Sequence, residues 1–566
     1  MRRWWIVVAV VGVLTTHLPA ADPPVYQHGA VAADHVAAST AGVEILKQGG
    51  NVIDAAVATA FALSVVRPAS SGLGGGGFLL YWDAEKQEAT AFDYRERAPL
   101  AATADMFSKL PEKERGRASQ EGILAAGVPG EIVGLCTIHQ KHGKLPLAAV
   151  LAPALRLATD GVEIDAHDIS IQRSMLREWK DHPERQTEFS LLWERYLNNG
   201  VPWKDGDRFF SPQRAALESL IKDGVASAKN GEIAHAILVA SQRRNGILTV
   251  DDLQHMTPAE RKPLRSSFHG YEVLTMPPPS SGGIALLQTL HMLEAWEQRT
   301  GKSWKGLPEV DRLQVLIEAQ KHAFADRAEF LGDADFVAVP TEKLLSRKYA
   351  ARQAEKIDLS RTLAAEAYGR AFLSDDAGTT HFCVMDEHGN AVACTETINT
   401  TFGSFVVEPK FGIVLNNEMD DFTALPGQPN AFGLRQSAAN AIAPGKKPLS
   451  SMTPTIVLKD GRPHFIAGAS GGPRIITATT QVLLQMLEFN QPAAKAVALP
   501  RSHHQWQPHE MLLEPALYRD LQTAMEQRGH KVKSASSLAA SQAIRWTPAG
   551  IDAGSDPRKH GEPRGW

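Results

Sequence analysis

Residues 378–403 read GTTHFCVMDEHGNAVACTETINTTFG. Two β-prone runs, in which apolar and polar residues alternate, flank the turn-forming residues Glu387, His388, Gly389 and Asn390. Alternation at period two around a short Gly/Asn turn predicts a β-hairpin. Threonine suits a pleated, half-buried surface on its own, so a special role for any of these hydroxyls has to come from elsewhere in the chain.

Around the hairpin the pattern is mixed α and β. A helix is expected over 37–47, stopped by Gly49 and Gly50, and Asp54 is expected to cap an apolar helix over 55–66. That helix is apolar all round but short, which marks a buried core element and not a membrane span. PASSGLGGGGFLL then leads into a strand over 78–82. It lacks the lysine and hydroxyl of a phosphate loop and runs into a strand where a dinucleotide fingerprint needs a helix. Its glycines are read as places where backbones approach closely. A further strand ends in Phe92-Asp93-Tyr94-Arg95-Glu96, PPPSSGG opens a helix reaching about residue 296, and 309–331 is periodic as an amphipathic helix.

The last helix carries Glu318, His322 and Asp326 at four-residue spacing. With no complementary cluster elsewhere, an exposed charged face is expected there and not a metal site. His503 and His504 are read as structural. Residues 352–376 look like an exposed approach to Gly378. A short strand is expected at 412–415, others within PLSSMTPTIVL and over 465–469, and Gly471-Gly472 stands at the N-terminal edge of an apolar helix.

Arg2-Arg3, an apolar run over 4–14 and the small and proline residues of TTHLPAADPP resemble a secretory signal peptide over 1–20. An exported protein, periplasmic or secreted, is expected. The 59 basic and 63 acidic residues leave a net charge of −4, with no basic stripe, which argues against nucleic acid as a partner. Three cysteines, Cys136, Cys383 and Cys394, are too few for a disulfide framework. Cys383 and Cys394 fall on opposite arms of the hairpin and are read as buried thiols.

From GAVAADHVAASTAGVEILKQGGNVIDAAVA at Gly29, through SGLGGGGF, DYRERAP, PPPSSGG, GTTH, NTTFG, NNEMDDF, PLSSM and SGGPRI, to SDPR at Ser555, the order of motifs resembles the gamma-glutamyltransferase family of N-terminal nucleophile hydrolases. The resemblance implies a four-layer αββα sandwich, built from a precursor that cuts itself before Thr379 into a large fragment, 21–378, and a small one, 379–566. The freed α-amino group, with a reference pKa of about 7.7–8.0, then serves as base for the threonine's own hydroxyl.

By the same resemblance Thr397 assists the nucleophile, and the N–H groups of Gly471 and Gly472 receive the oxyanion. Arg95, Ser450 and Ser451 hold a substrate α-carboxylate, while Asn399, Glu418 and Asp421 hold an α-ammonium. The stretch 425–447 has the length of a lid, with Phe432 as its aromatic gate. The implied donors are glutathione and other γ-glutamyl compounds, the acceptors are water, amino acids or dipeptides, and no metal or organic cofactor takes part. Two other readings stay open: a glutaryl-cephalosporin acylase of the same superfamily, and an uncleaved, non-catalytic binding protein.

Overall fold

The computed structural model describes residues 24–369, 378–423 and 437–566. The proposed signal segment and Phe432 lie outside them.

Two seven-stranded antiparallel sheets form the middle of the molecule. The first runs, strand by strand, Arg564–Gly565, Gly29–Ala33, Thr380–Asp386, Ala391–Thr397, Gly76–Asp83, Glu88–Asp93 and Ala259–Arg261. The hairpin read from the sequence is its central pair, with Phe382 opposite Cys394 and Val384 opposite Val392. The second sheet runs Val25–Tyr26, Gly550–Ser555, Ala540–Thr547, Arg462–Ser470, Thr455–Lys459, Tyr271–Thr275 and Leu264–Phe268.

Strand alternation sets the layers. Ala30, Ala32, Phe78, Leu80, Cys383, Met385, Ala391 and Ala393 of the first sheet meet Leu274, Ile456, Ile466, Ile544 and Ile551 of the second in a core between the sheets. The alternate residues, Val31, Ala33, Leu79, Phe382, Val384, Val392 and Cys394, pack outward against the helices Val36–Lys47 and Val52–Val66. On the far side, Val273, Val457, Phe465, Ala467 and Ala543 pack against Gly282–Thr300, Glu309–Phe330 and Arg474–Leu487. The result is the expected sequence of helix, sheet, sheet and helix. Ala391, Ala393 and Cys383 keep much of the hairpin's inner face small, which lets the sheets close on each other.

Four expectations need correction. The apolar helix begins at Val52 and is capped by Asn51, whose Oδ1 accepts from the N–H groups of Ile53 and Asp54, while Asp54 accepts from the Asn51 N–H in return. Asp54 is thus the third helical residue of a capping box and not the cap. Residues 412–415 form only isolated bridges among the described residues, Gly74 to Leu415 and Val407 to Val414, and join no ladder.

Glu318, His322 and Asp326 are buried, not exposed. Each carboxylate has polar partners that a periodicity argument does not see. Glu318 accepts from Lys321 Nζ at 3.0 Å and from the Thr362 hydroxyl at 2.8 Å, while Gln288 and the Tyr349 hydroxyl each donate to Asp326 at 2.7 Å. No group of metal-ligating side chains occurs among the described residues. Finally, 352–369 is partly core, since Ala354 and Ile357 are buried against the helical layer. His503 and His504 are buried as expected, and burial drives His503 down to about 3. All three cysteines are free and buried, Cys383 facing the inner core and Cys394 the outer. Among the described residues no helix is long and apolar enough to cross a membrane.

Candidate active site

Thr379 precedes the strand Thr380–Asp386, and Thr397 ends its partner, so the hairpin's open end presents two hydroxyls side by side. Their Oγ1 atoms lie 3.1 Å apart. Both donate to the Gly378 carbonyl oxygen, Thr379 at 2.7 Å and Thr397 at 2.8 Å. The Asn399 N–H donates to the Thr397 hydroxyl at 2.8 Å and thereby fixes its direction.

His381 is buried, its nitrogens engage the Thr395 hydroxyl and the Cys383 thiol, and burial pushes it down to about 3.

Gly378 is required by conformation. Its φ is +51°, and a Cβ there would stand 2.5 Å from the Thr400 carbonyl carbon and 2.8 Å from the Asn399 oxygen. The obstruction is backbone beyond the hairpin, not the attacking hydroxyl. Gly378→Ala is therefore expected to slow any cleavage at this bond tenfold or more, by left-handed strain plus the clash. A time course of purified precursor on denaturing gels measures it, and cleavage at the wild-type rate would contradict the geometry.

The glycine-rich run also matches its reading. A Cβ on Gly74 would lie 2.1 Å from the Val414 oxygen, and one on Gly75 2.0 Å from the Thr397 oxygen. These contacts lie where the strand Gly76–Asp83 pairs with Ala391–Thr397, the strand that ends in Thr397.

Beside the hydroxyls opens a pocket with about 320 Å³ of space free of protein atoms, lined by Arg95, Thr379, Thr397, Asn399, Glu418, Asp421, Ser450, Ser451 and Gly472. Every residue singled out from the sequence for catalysis or substrate binding is there, except Gly471, which adjoins Gly472, and Phe432. Of the stretch expected as a lid, the part from Ser437 onward is anchored: Asn440 Nδ2 donates to the Asp421 carbonyl at 2.7 Å, and Lys447 Nζ lies 2.7 Å from Asp93.

The pocket's charges are arranged differently from the residue-by-residue expectation. Arg95 Nη2 lies 2.8 Å from Glu418 and 2.5 Å from Asp421, so in this structure it pairs with the two acids assigned to the ammonium. Burial pushes both carboxyls up and Arg95 pulls them back. Burial alone would depress Arg95, but Glu418 and Asp421 outweigh it. Asn399 holds its place through a left-handed backbone, φ +76°, and a 3.0 Å bond to the Asn417 carbonyl. Behind the pocket lie Glu96, Glu131 and Glu396, all buried; burial raises Glu396 to about 7 and Glu96 to about 8.

Gly471 and Gly472 follow the strand Arg462–Ser470 and precede the helix Arg474–Leu487. Among the described residues, neither N–H has a hydrogen-bond partner. Two positive φ values, +131° and +53°, turn the chain there. Free amides before a helix N-terminus favour negative charge.

Two residues at the site were not legible in the sequence. Arg327, inside the helix Glu309–Phe330, lines the pocket and donates to Ser281 Oγ at 2.8 Å and Ser451 Oγ at 3.3 Å. Lys559 Nζ donates to the Thr379 carbonyl at 2.5 Å and lies 3.2 Å from Asp34. PPPSSGG supplies a partial signal for the first, because Ser281 ties the start of its helix to the PLSSM loop through the Ser450 carbonyl at 2.6 Å.

Two stacked antiparallel sheets between helical layers, with a threonine hydroxyl at the start of a central strand, define the class of N-terminal nucleophile hydrolases. The family model described as gamma-glutamyltranspeptidase matches residues 38–566. The glutathione hydrolase proenzyme of Escherichia coli is 39% identical over 94% of this chain and 90% of its own. Glutathione hydrolase 2 of Arabidopsis thaliana is 39% identical over 95% and 94%. Among solved structures, the cephalosporin acylase of Bacillus halodurans superposes with a TM-score of 0.82 at 26% identity, covering 99% of both chains. The Helicobacter pylori gamma-glutamyltranspeptidase gives 0.54 at 34% identity, covering 62% of this chain and 97% of that one. The chain belongs to the gamma-glutamyltranspeptidase family, and is an enzyme of acyl transfer and hydrolysis.

Proposed function

We propose that the chain is exported by way of residues 1–20, cuts itself between Gly378 and Thr379, and works as a heterodimer of 21–378 and 379–566 on glutathione and other γ-glutamyl compounds. The observation that carries this reading is the triangle formed by the Thr379 hydroxyl, the Thr397 hydroxyl and the Gly378 carbonyl oxygen, set beside a pocket containing both guanidinium and carboxylate groups.

The triangle suits cleavage first. Thr397 donates to the Gly378 carbonyl oxygen and so polarises the carbonyl that the adjacent Thr379 hydroxyl attacks. An N-to-O acyl shift gives an ester, water hydrolyses it, and Thr379 is left with a free α-amine. That amine accepts the hydroxyl proton in turnover, a task the amide nitrogen of the intact chain cannot perform. The hydroxyl oxygen then attacks the donor's γ-carbonyl, and the Gly471 and Gly472 amides receive the oxyanion. The amine returns the proton to the departing nitrogen, and water or an amine acceptor releases the γ-glutamyl ester. No metal or organic cofactor enters these steps. The solved Helicobacter pylori chain is almost wholly covered yet spans 62% of the present one, as a separate large fragment would.

A second reading has support from the acylase neighbour. Its glutaryl donor lacks an α-ammonium, and that would leave Glu418 and Asp421 without a ligand cation. Product release from a γ-glutamyl anilide, compared with a glutaryl-cephalosporin, decides between them, and preference for the latter would reverse the assignment. On denaturing gels the purified protein is expected as two bands, the larger about twice the length of the smaller. A single full-length band would favour a non-catalytic binding protein.

A further inference from the structure

Arg327 is 1% exposed and carries a full guanidinium into the interior, yet among the described residues it makes no ion pair. Among the described residues its hydrogen-bond partners are two neutral hydroxyls, Ser281 and Ser451, and its Nη1 has none. A buried cation with no carboxylate in direct ion-pair contact, Asp421 acting on it only at longer range, is costly, and proteins ordinarily pair such a group directly or bind an anion with it. Burial draws Arg327 down to about 10, which still leaves it charged at neutral pH. Arg95, on the same pocket, is in the opposite condition, since one of its nitrogens already serves two carboxylates.

The pocket therefore has one guanidinium in direct contact with carboxylates and one that is not. A zwitterionic amino-acid head supplies what is missing on each side: its ammonium competes for Glu418 and Asp421, and its carboxylate satisfies the unpaired arginine. Ser451 reinforces this, because its hydroxyl receives the Arg327 Nη2 hydrogen and is left free to donate its own to an incoming carboxylate.

We propose that Arg327 is a specificity-determining residue that binds the donor's α-carboxylate together with Ser451, as a second cationic fork beside Arg95. The assignment rests on the γ-glutamyl reading given above.

The test compares kcat/KM for a γ-glutamyl anilide with that for a 4-aminobutyryl anilide, which keeps the amine and lacks the carboxylate, in the mature wild type, Arg327→Gln and Arg327→Lys. Charge-assisted bonds of this kind are worth about 10- to 100-fold. Arg327→Gln is expected to reduce the preference for the carboxylate-bearing donor by that factor, chiefly through KM. Arg327→Lys, with a charge but no fork, should retain part of it. A residue that only braces the fold would lower both rates together and leave the preference intact, and that result overturns the proposal. Should Arg327→Gln fail to mature, Arg327→Lys decides alone: a preference at least about threefold weaker supports the role, and an unchanged one sinks it. A wild type that turned over neither anilide would instead remove the γ-glutamyl reading, and this assignment with it.

Discussion

Thr379→Ala is expected to yield one uncut chain with no measurable turnover. In the proposed mechanism two separate functions meet in that residue: its Oγ1 is the group hydrogen-bonded to the Gly378 carbonyl oxygen and to Thr397, and its backbone nitrogen becomes the base only after the bond is broken. Removing a nucleophile from a comparable acyl-transfer site costs about 10⁶-fold in kcat. Here the base is lost as well, since the α-amine stays locked in an amide. Thr379→Ser separates the effects. It keeps a hydroxyl at the same place, so it should cut and turn over, more slowly for want of the methyl group that restricts the rotamer. Gels and anilide release, run on the same preparations, give both readouts. An alanine variant that matured and hydrolysed substrate would show that the nucleophile lies elsewhere.

Gly471→Ala is expected to lower kcat by about 10²- to 10³-fold, with maturation much less affected. Loss of one preorganised oxyanion donor has that magnitude. The geometry shows why even one methyl group displaces the donor: φ at Gly471 is +131°, and a Cβ would stand 2.9 Å from the Ala539 Cα, a backbone atom that has little room to yield. Cleavage of the precursor draws on the Thr397 hydroxyl instead, so cut protein should form and its active fraction can be titrated by the burst of released aniline. A kcat within a few-fold of wild type in that fraction would remove Gly471 and Gly472 from the oxyanion role.

The parts of the site that were legible in the sequence are local. The hairpin, the glycine runs and the serine pairs each announce themselves within a dozen residues, because turn chemistry and close backbone approach restrict which residue can stand there. Arg327 gives no such sign. It lies in a helix whose neighbour Asp326 is satisfied by Gln288 and Tyr349 on other elements, and only packing shows that this helix face points at the pocket. Lys559 is farther still in sequence, 180 residues from the carbonyl it holds. The burial of Glu318 is hidden from the sequence for a related reason: periodicity marks charged stripes, but Lys321, Thr362 and Tyr368 close around this one only in the folded chain.

Neither sheet belongs to one side of the Gly378–Thr379 bond. In the first, the hairpin Thr380–Thr397 is clasped between Gly29–Ala33 and Gly76–Asp83; in the second, Thr455–Lys459 pairs with Tyr271–Thr275. A cut at that bond therefore changes the molecularity of folding. The intact chain refolds as a unimolecular process, indifferent to dilution, whereas the cut protein must find its other half again after denaturation. Its unfolding midpoint should rise with protein concentration, and its recovery from denaturant should fail on dilution. The mature enzyme would be held together by a folding reaction that it can perform efficiently only once, before it cuts itself.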